Sequence, residues 1–205
     1  MQLILNRIQW PVYNLGPGKR MGLWVQGCSL GCKGCINPAL WTQEQGQAVP
    51  IPQLVHAIAS QEDAIEGITI SGGEPFEQYP ALMAFCAFLK KRTSLNIYVF
   101  SGYRLEELLD KYPDQIFLKY VDFLMDGRYE GENHDDQNVR GSLNQQLYEI
   151  KAGVARPIPP FPTSSKWSLK VEDDQTVFMS GIPRKGELQK IRQALAAQGI
   201  NLKPQ

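Results

Sequence analysis

The run from Gly22 to Cys35, GLWVQGCSLGCKGC, governs how this chain is read. Its first five residues, Gly22 to Gln26, have strand character and lead straight into the cysteines. Cys28, Cys32 and Cys35 stand in a C-x3-C-x2-C spacing with glycines at 27, 31 and 34. Three thiolates on one short loop can close around a single metal centre, and the glycines let the backbone curl without side-chain obstruction. Of four cysteines in the chain, the fourth, Cys86, lies alone. Disulfide scaffolds spread their cysteines along short secreted chains, whereas a tight cluster points to metal or redox chemistry. A structural zinc site needs four ligands, and His56 and His134, the two histidines, stand in no zinc-like spacing with the cluster. Zinc would then require Cys86 to reach the loop. An iron–sulfur cluster with one iron lacking a protein ligand suits the residues better.

Outward from the loop, short β-rich runs alternate with helical periodicity. Pro52 to Ser60 predicts a helix with proline in its first turn. Ile68 to Ile70 predicts a strand running into Ser71-Gly72-Gly73-Glu74-Pro75. Leu82, Phe85, Cys86 and Leu89 fall at i, i+3, i+4 and i+7, the stripe of a helix from Tyr79 to Arg92, which makes Cys86 core filler. Asn96 to Phe100 reads as a strand, Arg104 to Asp110 as a helix and Val121 to Met125 as a strand. This alternation implies βαβ units with parallel strands and helices packed outside, an α/β fold. About four or five units fit before residue 150, too few for an eight-unit barrel of ~250 residues, so a partial barrel or an open sheet is expected.

Beyond Ile150 the composition shifts, which divides the chain into a core over 1–150 and an extension over 151–205. Pro157, Pro159, Pro160 and Pro162 predict an extended surface connector. Trp167 to Val171 and Gln175 to Met179 read as a hairpin around Asp173 and Asp174. A last helix, Lys185 to Ala197 with Leu188, Ile191 and Leu195 inward, stops at Gly199.

The whole chain has 205 residues, 43% of them hydrophobic and 20% charged, too apolar for disorder. Its 21 basic and 21 acidic side chains cancel, so no global field advertises nucleic acid or an anionic membrane as partner. No apolar run approaches the roughly 18 to 20 residues that span a bilayer, and the N-terminus does not read as a secretory signal. A cytoplasmic protein is expected.

The cysteine loop after a strand resembles the signature of the radical S-adenosylmethionine (SAM) enzymes, and Ser71-Gly72-Gly73-Glu74-Pro75 is similar to that superfamily's GGE motif. Gly16-Pro17-Gly18-Lys19-Arg20, followed by Trp24-Val25-Gln26-Gly27-Cys28, resembles the DGPG-x-R and F-x-QGC runs of the activating enzymes of glycyl-radical enzymes. The loop's ending with Asn37-Pro38 and Trp41, Ser101-Gly102-Tyr103 with Glu106 and Glu107, and Asp126-Gly127 with Arg140-Gly141-Ser142-Leu143-Asn144-Gln145 are similar to segments of those that serve anaerobic ribonucleotide reductase. Leu15 stands where that family has Asp, and Gln146 where it has Arg. The likeness covers residues 12 to 150, and more loosely the last strand and helix.

The resemblance implies an incomplete parallel β/α barrel of the radical SAM type with a small C-terminal strand and helix extension. It implies a [4Fe-4S] cluster on Cys28, Cys32 and Cys35, and SAM bound at the fourth iron among Gly34, Ile36, Gly72, Gly73 and Glu74. Reductive cleavage of SAM then yields a 5′-deoxyadenosyl radical, which abstracts hydrogen from a glycine of a partner enzyme. The partners implied are a glycyl-radical enzyme and an external one-electron reductant such as flavodoxin or ferredoxin. A radical SAM enzyme acting on a peptide or a small molecule remains open, as does a non-catalytic metal or electron-transfer module, although a SAM motif has no use in an electron carrier. Close approach of backbone to cofactor is the expected role of Gly34, Gly72 and Gly73, and Glu74 or nearby carbonyls are expected to accept from the SAM ammonium group.

Four further groups carry simpler readings. Trp24 and Trp41 either shield the cluster or pack. Lys19 and Arg20 read as a solvated turn or as partner contacts, and Glu130, Glu132, Asp135 and Asp136 as a solvated acidic loop. Arg140 holds a carboxylate of SAM or of the partner, or an ordinary salt bridge. His56 reads as a surface residue.

Overall fold

The computed structural model describes residues 1–162, 165–171 and 177–200. Eight strands form one sheet: β1 (Gln2–Val12), β2 (Arg20–Val25), β3 (Gln47–Pro50), β4 (Gly67–Gly72), β5 (Asn96–Phe100), β6 (Phe123–Asp126), β7 (Gln146–Lys151) and β8 (Val154–Ile158). Their order is β3-β1-β2-β4-β5-β6-β7-β8. A separate pair, β9 (Trp167–Val171) and β10 (Val177–Gly181), is antiparallel. The helices are α1 (Ile51–Ala59), α2 (Tyr79–Arg92), α3 (Leu105–Lys111), α4 (Phe117–Tyr120) and α5 (Glu187–Ala196).

The fold is mixed α/β, and the all-parallel sheet expected from the alternation holds for its centre. β2, β4, β5 and β6 run parallel, while β1 pairs antiparallel with β2 and β3, and β7 pairs antiparallel with β6 and β8. The parallel strands are those joined to one another by crossovers, which a hairpin cannot replace. The long strand β1 carries Asn6, Arg7 and Gln9 within its apolar run, so its alternation is broken and its strand character was not legible. Hairpin β7–β8 straddles residue 150, and Pro157 lies in β8 at the edge of the sheet, where a missing N–H breaks no ladder inside it.

Side chains alternate between two faces. Ile97 and Val99 of β5 join Leu23, Ile68, Ile70 and Leu124 against Leu54 and Ile58 of α1 and Leu82, Phe85 and Leu89 of α2. Tyr98, between them in sequence, joins Met125, Val139 and Leu147 in a separate cluster on the other face. All six residues of β2 are buried, as expected of a strand covered on both sides. Cys86 is fully buried within the α2 cluster, as its stripe required.

Arg20 departs from its expectation as a solvated turn: it is fully buried. Its guanidinium donates to the Thr69 hydroxyl (2.6 Å) and to the carbonyls of Pro17 (3.0 Å) and Ile68 (2.5 Å). Burial lowers its pKa to about 10, with Tyr98 and two carboxylates opposing the fall. Backbone acceptors take the place of a counter-ion, so Arg20 knits the loop before β2 to β4 instead of meeting a partner.

The expected last hairpin is present as β9 and β10, while its turn around Asp173 and Asp174 and the start at Gln175 lie outside the described residues. Trp24 packs edge-on to Phe178 of β10 at 5.1 Å, so packing is its role, and Trp41 remains 38% exposed. His56 is exposed on α1, as read.

Candidate functional site

The cysteine loop leaves the end of β2 and is held by backbone on two sides. Gly27 N–H donates to the Leu40 carbonyl (2.8 Å) and Cys28 N–H to that of Trp41 (3.1 Å). The Gln26 side chain donates to the carbonyls of Ala39 (3.0 Å) and Thr42 (2.5 Å) and accepts from Asn6 of β1 (2.9 Å). Gln78 donates in turn to the carbonyls of Gln26 and Ile4 (both 3.0 Å). Neither glutamine announced this role in the sequence, because both act through strand β1.

Beside this loop runs the end of β4. Gly73 N–H donates to the Val25 carbonyl (2.8 Å) and Glu74 N–H to the Gly27 carbonyl (2.9 Å). At Gly72, with φ +107°, a Cβ would stand 2.6 Å from the Val25 backbone, and at Gly73 it would collide with the Gly27 carbonyl. The need for glycine here is therefore met first by the chain itself: two strand ends touch backbone to backbone. Gly34 has φ +81° and faces the Tyr129 ring.

Glu74 is 1% exposed. Its carboxylate accepts from the N–H of Phe76 (2.9 Å) and Gly102 (2.7 Å) and from the Ser101 hydroxyl (3.0 Å). Burial pushes its carboxyl up to about 7, against the pull of those three donors. Both oxygens are thus engaged in joining the ends of β4 and β5, which leaves the expected acceptor role towards an ammonium group to the carbonyls beside it.

Cys28, Cys32, Cys35, Gly34, Ile36, Gly72, Gly73 and Glu74 all line one open cavity of about 680 Å3. It lies off the C-terminal ends of the parallel strands, where sites of α/β proteins gather. The three thiols are half-buried, and burial, with the carboxylates of Glu74 and Glu77 adding to it, pushes the Cys28 thiol up to about 11. Among the described residues no group of three or more His, Cys, Asp or Glu side chains closes on a point tightly enough for one ion. A cubane offers each thiolate its own iron, and Cys86, sealed in the core, supplies no fourth ligand.

A further wall comes from residues 127–145. Gln145 donates to the Gly127 carbonyl (2.8 Å) and accepts from the N–H of Gly141 (2.8 Å) and Ser142 (3.2 Å), folding the segment back on itself. Asp135 corrects the reading of a solvated acidic loop, being 3% exposed and paired with Arg140 Nε at 2.6 Å. Burial disfavours its charge, yet the hydrogen bonds from Arg140, Asn138 and the Gln137 N–H outweigh that and hold the carboxyl well below the usual range. Arg140 is thereby occupied by an internal salt bridge. Tyr129 and His134 from this wall also line the cavity, and sequence reasoning missed both in this role.

Residues 14–148 match the family model described as a 4Fe-4S single cluster domain, which makes the class that of an iron–sulfur protein. The chain is 34% identical over 143 residues to the anaerobic ribonucleoside-triphosphate reductase-activating protein of Haemophilus influenzae, covering 66% of this chain and 91% of that one. It is 34% identical over 146 residues to the protein of the same name from Enterobacteria phage T4, covering 68% and 89%. The chain belongs to the 4Fe-4S single cluster domain family and, within it, to the family of these activating proteins. QueE from Escherichia coli, a solved structure, aligns over 50% of this chain and 53% of its own at 20% identity and a TM-score of 0.44, too partial a likeness to bear on the fold. The resemblance to radical SAM activating enzymes read from the sequence is borne out, and with it an enzyme whose cofactors are a [4Fe-4S] cluster and SAM. Among the described residues, no helix is long and apolar enough to cross a membrane.

Proposed function

We propose that this chain activates an anaerobic ribonucleotide reductase by removing a hydrogen atom from one of its glycines, and that Cys28, Cys32 and Cys35 hold the cluster while Gly34, Ile36, Gly72, Gly73 and Glu74 surround SAM. The observation that carries this reading is the meeting of the three-thiol loop and the Ser71–Glu74 strand end on one cavity, in a chain of that family. Bound together, the two cofactors supply one-electron reductive cleavage of a carbon–sulfur bond and, through it, hydrogen-atom abstraction.

The chain's own part is placement. Three thiolates leave one corner of a cluster without a protein ligand, open to an amino acid moiety. The carbonyls at Gly72 and Gly73 are acceptors for an ammonium group, and Glu74, by fixing the ends of β4 and β5, keeps them in place. Leu30, Ile36 and Phe100 give the cavity apolar walls that exclude water from a reactive site. An electron arrives from an external one-electron reductant such as flavodoxin or ferredoxin.

We further read β2, β4, β5 and β6 as the arc of an incomplete β/α barrel, supported by their parallel order and by the cavity at their C-terminal ends. The segment after residue 150 is then an addition to a radical SAM core. The test is anaerobic reconstitution with iron and sulfide, followed by SAM, dithionite and an anaerobic ribonucleotide reductase. A glycine-centred doublet in electron paramagnetic resonance is expected, with 5′-deoxyadenosine released. Release of 5′-deoxyadenosine without the doublet would overturn the glycine reading and leave a peptide or small molecule as substrate.

A further inference from the structure

We propose that residues 182–192 form a cationic rim that docks an acidic, extended peptide segment of the partner enzyme at the mouth of the cavity; this rests on the reading of a protein substrate given above. The family match ends at residue 148, and the Haemophilus influenzae relative is covered to 91% while this chain is covered to 66%. This chain therefore carries a segment beyond the part matched by that family model and that relative.

The segment is anchored at several points. Asn14 donates to the Ser180 carbonyl (2.9 Å), and Ile182 N–H donates to the Lys166 carbonyl (2.8 Å). Lys166 Nζ donates to the carbonyls of Asp135 (2.8 Å), Asn138 (2.5 Å) and Arg140 (3.3 Å), so the extension is bolted to the 127–145 wall. Ile182 then abuts Gly141, on the same wall whose Tyr129 faces Gly34 of the cysteine loop. A continuous surface thus leads from the cysteine loop to α5.

The charge on that surface is one-sided. Arg184, Lys185 and Arg192 line the cavity, and the single carboxylate lining it among the described residues is Glu74, buried and engaged by three donors. No ion pair joins those three cationic side chains to an acid among the described residues. Glu187 and Asp136 are close by, but accept from the backbone N–H of Arg184 and Lys185. His134 of the same wall is taken up within the chain: its Nε2 lies 3.4 Å from the Asp136 carboxylate and its Nδ1 meets the Tyr129 hydroxyl at 3.1 Å.

The spacing selects the ligand. Arg184 and Lys185 stand just before α5 and Arg192 lies five residues into it, so the cations come from two successive stretches of the rim. Several acidic side chains along an extended peptide meet such a row, and charge of this kind sets orientation and encounter more than total affinity.

The experiment uses the reconstituted protein and two fluorescent twelve-residue peptides, each centred on glycine and flanked by either glutamates or lysines. Anisotropy is read at low and at high salt, with SAM binding measured in parallel by calorimetry. The acidic peptide should bind, more weakly as salt rises, and the lysine peptide should not. Reversing all three charges (Arg184→Glu, Lys185→Glu, Arg192→Glu) should weaken acidic-peptide binding by about tenfold or more and leave SAM binding unchanged. The milder set Arg184→Gln, Lys185→Gln and Arg192→Gln should give a smaller loss in the same direction, which covers misfolding of the reversed variant. Equal binding of both peptides, or loss of SAM binding with peptide binding intact, would overturn the proposal. SAM cleavage, followed as 5′-deoxyadenosine, tests the enzymatic reading separately.

Discussion

Glu77 holds Ser29 at the start of the cysteine loop: both carboxylate oxygens accept from the Ser29 N–H (3.0 and 3.1 Å), and Oε1 also accepts from its hydroxyl (2.5 Å). The two residues lie 48 positions apart, so the loop next to Cys28 is tied to the segment just after β4. Tyr103 donates to the same carboxylate (3.4 Å) and accepts from Lys111 (3.2 Å), extending the tie to α3.

Replacing Glu77 with Ala should loosen the loop without removing a cluster ligand. The lost bonds are solvent-facing and worth about 1 kcal/mol net, a factor of roughly five in opening. Bleaching of the reconstituted cluster by an iron chelator should quicken by about that factor, while Glu77→Gln, which keeps an acceptor for the hydroxyl, falls between. Unchanged bleaching would show that the tie does not steady the loop.

The four cysteines should separate into two groups. Cys28→Ala, Cys32→Ala and Cys35→Ala should each abolish stable iron retention and visible absorbance after anaerobic reconstitution. Cys86→Ala should keep the absorbance and lose about 1 kcal/mol in urea unfolding, because it empties a small volume in the α2 core.

Two glycines of the site should respond oppositely to a methyl group. Gly73→Ala drives a Cβ into the Gly27 carbonyl and should disrupt both the Glu74–Gly27 hydrogen bond and iron retention. Gly31, with φ +60°, has nothing within 4 Å of its Cβ position, so Gly31→Ala should cost only the left-handed backbone, about 1 kcal/mol, and keep the cluster. Iron content and thermal melting of both variants check this.

Asp135 and Glu74 should give pH dependences of opposite sign. The carboxyl of Asp135 is held low in the folded chain, so its stabilisation is fully present above the ordinary range near ~4 and is lost as pH falls below it. The stability gap between the native chain and Asp135→Asn should therefore be about 3 kcal/mol at pH 7 and shrink towards pH 3. Glu74 is raised to about 7, so the folded chain binds its proton more tightly than the unfolded one, and its contribution declines from about pH 4.5 to 7. Glu74→Gln should flatten that decline in melting curves taken across the interval.

Local pattern carried much of the site into the sequence. The thiol spacing, the strand before it and the strand ending in Gly72-Gly73-Glu74 each sit within a dozen residues, and the α2 stripe gave that helix its observed ends at Tyr79 and Arg92. What local pattern lacked was any sign of partners far along the chain. Arg20 looks like a surface charge until β4 wraps it with carbonyls, and Asp135 looks solvated until Arg140 and the Lys166 anchor close over its loop.

The sequence by itself determined the alternation of helices and parallel strands at the centre of an α/β fold, though not β1, and it set three clustered thiols, of a spacing suited to an iron–sulfur cluster, in a chain with a glycine-rich strand end. Periodicity and ligand spacing are properties of neighbouring residues, and they survive without knowledge of the fold. Only the tertiary structure decided that antiparallel strands flank the parallel centre, that Glu74 spends its carboxylate on the backbone, and that Arg184, Lys185 and Arg192 reach the cavity from the far end of the chain. Strand direction, burial of a charge and completion of a cavity wall depend on which distant segments pack together, and that is settled by the summed energy of the whole core.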